Sequence, residues 1–212
     1  MEFIPYGKHK IVDADITAVN RVLTSNYLTS GEEIVKFEKE FSEFVGSKYA
    51  VAVSSGTAAL HISMLVAGIG EVDRVITSPN TFVASSNAAL YVGAIPDFAD
   101  IDEDSFNINI DSIDEIYDKD VKAIIPVAYG GQPPNMPEIY NYAKSRDIIV
   151  IEDACHGPGS KFTYKGCIYN LGGHGFTDLS VFSFHPVKNF TTAEGGMITT
   201  NNKSFYEKAR RL

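Results

Sequence analysis

Four clusters of residues have types and spacings that could do chemistry. In the first, Lys188 stands between the aromatic residues Phe182, Phe184 and Phe190 and the paired glycines Gly195 and Gly196. Packing gives no reason for a lysine among such neighbours, and burial favours a neutral amine, the form that carbonyl chemistry needs. A lysine laying its stem on apolar surface fits the same segment. In the second, Glu152 and Asp153 end a run of aliphatic residues, with His156 three residues on. A buried acid is costly without a partner, so Asp153 can hold a protonated ring nitrogen, or simply cap the next element. In the third, Ser54, Ser55, Gly56 and Thr57 form a small-residue turn that can present free amides to a phosphate or merely start a helix. The P-loop and dinucleotide glycine patterns are missing from it. In the fourth, Thr81 and Phe82 follow an apolar run, where an aromatic side chain can stack on a flat ring or belong to the core. Ser183, five residues before Lys188, adds a hydroxyl near the first cluster.

These residues must be positioned by the elements between them. A short apolar run at 49–53 predicts a buried strand, and 74–77, 95–98, 122–127 and 148–153 read as further strands. Helical patterns at 58–66, 83–91 and 137–146 separate them, with Asp111 capping a further short helix and Pro137 placed in a first turn. Strand and helix alternate with few hairpin signals, which predicts an α/β fold with a mostly parallel sheet covered on both faces. All four clusters fall just beyond strand ends, where open parallel sheets gather ligands. Segment 196–200 reads as a further strand, and 172–175 as a turn before a strand at Ser180. Ahead of the alternation, Asp13 and a capping box at 30–33 predict two helices outside the main sheet. The expected organisation is a helical segment over 1–45 and an α/β domain over 46–212.

The chain has 212 residues, 44% hydrophobic and 21% charged, with a net charge of -9. Those values describe a globular protein, and no basic cluster points to nucleic acid. No apolar run reaches the length of a membrane span. Cys155 and Cys167 make neither a metal spacing nor a disulfide framework, which favours a cytoplasmic setting. His61 reads as a helix-face residue, His174 and His185 have no assigned role, and no metal site is expected.

Together, a phosphate cradle, a stacking ring, an acid for a pyridinium nitrogen and a lysine are what pyridoxal 5'-phosphate asks of a protein. The wording of the chain also resembles the DegT/DnrJ/EryC1/StrS family of sugar-nucleotide aminotransferases over nearly its whole length. The similarity runs through Leu28 to Gly31, Ser55 to Leu60, Asn80 to Ala84, Tyr91 to Pro96, Tyr129 to Pro133, Glu152 to His156, Phe182 to Lys188 and Glu194 to Gly196.

The resemblance implies the large domain of the aspartate aminotransferase type, fold type I. It gives Lys188 the covalent link to the cofactor and the proton shuttle, and pairs Asp153 with the pyridine nitrogen. Phe82 would stack on the ring, Gly56, Thr57 and Ser183 would hold the phosphate, and His156, where many members carry Gln, would stand near the ring's 3'-oxygen. An amino acid donor, usually L-glutamate, and a nucleotide-linked 4-keto-6-deoxy sugar would be the substrates. The segment from Phe184 to Lys188 and the Tyr6, Gly7, Lys8 opening look most like the branch that aminates sugars on the way to pseudaminic acid. A homodimer with shared sites is implied. Members continue into a C-terminal domain beyond position 212, so a piece of this length is expected to turn over weakly or not at all. Two departures, the 70–74 turn and Asn135, lie away from the implied site. The rival readings are a non-catalytic or regulatory member of the same fold and a ligand-binding α/β module without covalent chemistry, which would have no use for Asp153 and Lys188 together.

Overall fold

A computed structural model describes every residue except Met1, Glu2, Tyr6 and His174. Tyr6 of the opening motif and His174 of the expected turn therefore lie outside the described residues. Two helices come first, α1 (Asp13–Leu23) and α2 (Glu32–Val45). Then strands and helices alternate: β1 (Tyr49–Val53), α3 (Gly56–Ala67), β2 (Arg74–Thr77), α4 (Ala84–Tyr91), β3 (Ile95–Phe98), α5 (Ile110–Ile116), β4 (Val121–Ile125), α6 (Met136–Lys144) and β5 (Ile149–Asp153). A hairpin of β6 (Lys161–Tyr164) and β7 (Cys167–Asn170) follows, then β8 (Leu179–Ser183), β9 (Gly196–Thr200) and α7 (Lys203–Ala209).

Seven strands form the main sheet in the order β1-β9-β8-β5-β4-β2-β3. The expected α/β architecture is present, with one addition: β9 pairs antiparallel with both of its neighbours, while β8, β5, β4, β2 and β3 pair in parallel. The reversal follows from the connection. Residues 184–195 turn back directly from β8 to β9, with none of the helix that a parallel crossover needs.

Alternation along the strands feeds both faces. Val75, Ala123, Ile125, Ile151, Val181 and Ile198 pack with Leu60 and Met64 of α3 and with α4. Ile76, Ile124 and Val150 point the other way, onto Ile113 of α5 and Ile139 of α6. At the β8 end of that second face, Phe182, Phe184 and Met197 meet Phe41 and Val45 of α2. Helix α2 therefore belongs to the core, whereas α1 buries no residue. Gly46 and Gly68 end α2 and α3 in the left-handed conformation, where a Cβ would be strained.

Several caps differ from expectation. The amide of Val12 starts α1 and donates to the Asp15 carboxylate at 2.9 Å, so Asp13 is not the cap. Gly31 starts α2 without a side-chain bond, leaving the 30–33 box unformed. Asn109, not Asp111, caps α5, its Oδ1 accepting from the amides of Asp111 and Ser112. The β6–β7 hairpin was not anticipated. It closes through Lys165 and Gly166, both at positive φ (49° and 80°), a tight turn usually signalled by Asn-Gly.

Candidate active site

The carboxyl ends of β1, β8 and β5 and the start of β9 lie along one edge of the sheet. Gly196 pairs with Val53 on one side and Ser183 on the other. A Cβ on Gly196 would lie 2.4 Å from the carbonyl carbon of Ser55, so this glycine lets β9 pass beneath the start of α3. Gly56, the first residue of α3, is as tightly set: a Cβ there would meet Ser183 Cβ at 2.9 Å and Cys155 Sγ at 3.0 Å. The expected phosphate residues Gly56 and Ser183 are thus brought into contact. Ser55 caps α3, taking the Ala58 amide at 3.1 Å on its hydroxyl and the Ala59 amide at 2.9 Å on its carbonyl. Gly56 and Thr57 carry the remaining two amides of the first turn, which have no acceptor within the helix.

Asp153 ends β5 on the α3/α4 face, only 5% exposed. Its Oδ2 accepts from the Ser85 hydroxyl at 2.8 Å and its Oδ1 from the Cys155 amide at 3.1 Å. Ser85 in turn contacts the Thr81 hydroxyl at 2.8 Å. Neither hydroxyl was singled out from the sequence for this role, since 68 residues separate Ser85 from Asp153. Glu152, the other acid of the pair, faces the opposite side of the sheet. Its Oε2 accepts from Ser180 Oγ at 2.7 Å and from the Gly172 amide at 3.0 Å.

His156 is half-buried, and its Nδ1 accepts from the Gly130 amide at 3.3 Å. Burial, and after it the charge of Lys188, hold this imidazole below its ordinary value, with Asp153 opposing. Burial pushes the Cys155 thiol well up; the Asp153 carboxylate adds to the rise and Lys188 works against it. The charges of Asp153 and Lys188 thus both reach Cys155 and His156.

Lys188 is half-buried, on the β8–β9 loop, where its amide donates to the His185 carbonyl at 2.9 Å. Phe182 and Phe184 point away, packing on Phe41 with ring centroids 4.9 and 5.4 Å apart, and Phe190 stacks on Phe184 at 5.0 Å. Period-two alternation explains this, because it places Ser183 on the α3 side and both phenylalanines on the α2 side. Phe82, just ahead of α4, is 66% exposed, so it is not a core residue of this chain.

A cleft of about 430 Å³ lined by Asn107, Pro134 and Phe162, among others, adjoins one of about 680 Å³ beside Asp114, Tyr142 and Arg146. Neither includes Asp153 or Lys188.

Residues 9–212 match the DegT/DnrJ/EryC1/StrS aminotransferase family. The chain belongs to this family. Among relatives, it is 41% identical over 210 residues to the spore coat polysaccharide biosynthesis protein SpsC of Bacillus subtilis, covering 99% of this chain and 52% of that one. Its fold matches the sugar aminotransferase Spr1654 of Streptococcus pneumoniae, a putative assignment in that protein's description, with a TM-score of 0.90 and 32% identity; that structure is known in a PLP form and a PMP form. The match covers 99% of this chain and 57% of the PLP form. PseC of Helicobacter pylori, an aminotransferase involved in pseudaminic acid biosynthesis, matches with a TM-score of 0.89 and 31% identity, over 99% of this chain and 55% of its own. The chain spans about half the length of the curated relatives it matches. The fold is that of the fold type I aminotransferases.

Proposed function

We propose that this chain carries the cofactor-binding site of a pyridoxal 5'-phosphate-dependent aminotransferase that uses an amino acid donor, L-glutamate, and a nucleotide-linked 4-keto-6-deoxy sugar. The observation that carries the reading is the meeting of Gly56, Ser183 and Cys155 at one point of the sheet edge, beside the buried Asp153. Glycine permits that close approach, a Cβ there meeting Ser183 Cβ at 2.9 Å, and so sets the Ser183 hydroxyl near two free amides of the first turn of α3, a donor set that suits a small anion. The cradle therefore fits a phosphate group.

Bound there, the cofactor supplies an electron sink and a carrier for the amino group. In this reading Gly56, Thr57 and Ser183 hold the phosphate. Asp153 would accept a hydrogen bond from the protonated pyridine nitrogen and keep that nitrogen charged. Phe82 offers its exposed ring to one face of the cofactor. His156, whose Nδ1 is occupied by the Gly130 amide, has Nε2 left to donate to the 3'-oxygen. Lys188 supplies the anchoring amine and takes up and returns a proton at Nζ. The PLP and PMP forms of Spr1654 support the choice of cofactor.

The finer reading, amination of a sugar leading to pseudaminic acid, is supported by the likeness to PseC. The proposal takes 1–45 as a helical segment and 46–212 as the cofactor-binding domain of a longer, homodimeric enzyme. Its cytoplasmic setting is supported by two free cysteines, Cys155 and Cys167. No helix among the described residues is long and apolar enough to cross a membrane.

The test is to add pyridoxal 5'-phosphate to the purified protein, record the visible band, reduce with borohydride and map the labelled peptide by mass spectrometry. Label on Lys188 alone, lost in Lys188→Ala and in Asp153→Ala, is the expected result. A ligand-binding module would instead keep its affinity in Lys188→Ala, and label scattered over surface lysines would overturn the assignment.

A further inference from the structure

Asp153 is buried without any lysine or arginine bonded to it, so its in-chain donors need an explanation. Each carboxylate oxygen takes one: Cys155 N–H on Oδ1 and Ser85 O–H on Oδ2. An ionised carboxylate can only accept, so Ser85 spends its single proton on Asp153. In the Ser85–Thr81 contact Thr81 must then be the donor, although the geometry of that pair alone permits either direction. The bonds form a one-way relay from Thr81 through Ser85 to Asp153. Ser85 is fully buried, so water cannot replace it. Thr81 precedes Phe82 directly, and Ser85 lies in the first turn of α4, its amide bonded to the Phe82 carbonyl at 3.1 Å. One short segment thereby holds both an exposed aromatic ring and the donor to the acid.

We propose that Thr81 and Ser85 are positioning residues for Asp153, a hydroxyl relay that sets the depth and tilt of the carboxylate relative to the Phe82 ring, so that a protonated ring nitrogen and the face of that ring are met together. The proposal rests on the cofactor reading above. Two acceptor lone pairs of the carboxylate are used by the relay and the Cys155 amide, and the other two stay available to a ring N–H. Ser85 is fully buried and bonded to Asp153. It acts through Asp153. The Asp153 carboxylate takes bonds from two segments, the turn after β5 at Cys155 and α4 at Ser85, so a change at Ser85 is felt directly at the carboxylate.

The test compares Ser85→Ala, Ser85→Thr and Thr81→Val with the wild-type chain in two states. Without cofactor, infrared difference spectra follow the carboxylate stretch that disappears in Asp153→Asn. Ser85→Ala should shift this band, and Ser85→Thr, which keeps the hydroxyl, should not. With pyridoxal 5'-phosphate, equilibrium dialysis should show an affinity about tenfold weaker in Ser85→Ala, the worth of one hydrogen bond to a charged group. The pH midpoint of the bound cofactor's visible band should move with it. Thr81→Val should show about a threefold loss, because Ser85 keeps its own bond to the acid. A merely structural Ser85 would lower the melting temperature and leave both the infrared band and the band's pH midpoint in place; that result overturns the proposal. If wild-type protein takes up no pyridoxal 5'-phosphate, the cofactor reading falls, and the infrared comparison in the free protein still decides whether the relay acts on Asp153.

Discussion

Glu152 and Asp153 are neighbours on one strand, both acids, both buried, and they do opposite things. Glu152 is fully buried on the α2 side, where Ser180 Oγ and the Gly172 amide bond it to its surroundings. It ties β5 to β8 and to the 171–173 turn beneath a layer of aromatic side chains. Asp153 faces α3 and α4 at the carboxyl end of β5, held by one amide and one hydroxyl, with Cys155 and His156 both within reach of its charge. Burial alone would class the two together. What separates them is the face of the strand and what shares it: packed rings and fixed bonds on one side, titratable groups and exposed ring on the other. The β8–β9 loop repeats the division, sending Phe184 and Phe190 to the packed side while Lys188 stays half-buried.

The largest expected effect is on the packed side. Phe182 is fully buried against Phe41, so Phe182→Ala should cost about 3–5 kcal/mol of folding stability. Urea denaturation with and without cofactor measures it. A loss below about 1 kcal/mol would mean that the aromatic layer can collapse to fill the space, and the contrast between faces would lose its energetic basis.

The paired acids give a smaller and more telling effect. Glu152→Ala strands the Ser180 hydroxyl and the Gly172 amide in the interior, each worth about 1–3 kcal/mol when left unpaired. Asp153→Asn keeps shape and an acceptor oxygen, so the stability of the free protein should stay within about 1 kcal/mol of wild type. Cofactor affinity should reverse the order, nearly unchanged per folded molecule in Glu152→Ala and strongly reduced in Asp153→Asn. Calorimetry and equilibrium dialysis on the same samples separate the two. If both variants lose stability and affinity alike, the strand does not divide the labour between its faces.

Much of this was legible in the chain because a buried strand leaves a short apolar run, and those at 49–53 and 74–77 match β1 and β2 to the residue; 95–98 also matches β3, although that edge strand leaves Ile95 and Phe98 exposed. Strand direction leaves no such mark. Gly196 to Thr200 reads as a strand whichever way it runs, and only its short connection to β8 reverses it. The hairpin at Lys165 and Gly166 stayed hidden because lysine rarely adopts a positive φ. In the site, residue types pointed to Lys188 and Asp153, and the glycine at 196 is explained by its approach to Ser55. Ser85 was out of reach, since its partner Asp153 lies 68 residues away and no periodicity connects them, and without Ser85 the role of Thr81 could not be read either. The phenylalanines beside Lys188 in the chain say little of its setting, because neighbours along a strand are not neighbours on a face.

The smallest effect concerns how the charges on the Asp153 side act on one another. His156 lies below its ordinary 6.5 first through burial and then through Lys188. An imidazole harder to protonate in the folded chain than in the unfolded one favours unfolding in acid. As pH drops below 6.5 the unfolded chain takes up a proton that the folded chain refuses, so stability contributed by neutral His156 is complete above 6.5 and lost on the acid side. His156→Gln cannot titrate, so its stability should fall less steeply than wild type as pH drops below 6.5, a difference read from urea denaturation at a series of pH values. Lys188→Ala should produce part of the same flattening, because it removes the second cause and leaves the first. Glu152→Ala should leave the slope that His156 contributes unchanged, since Glu152 is not among the groups that shift this imidazole. Parallel curves for wild type and His156→Gln would show that His156 titrates alike folded and unfolded, and the groups around Asp153 would then act independently.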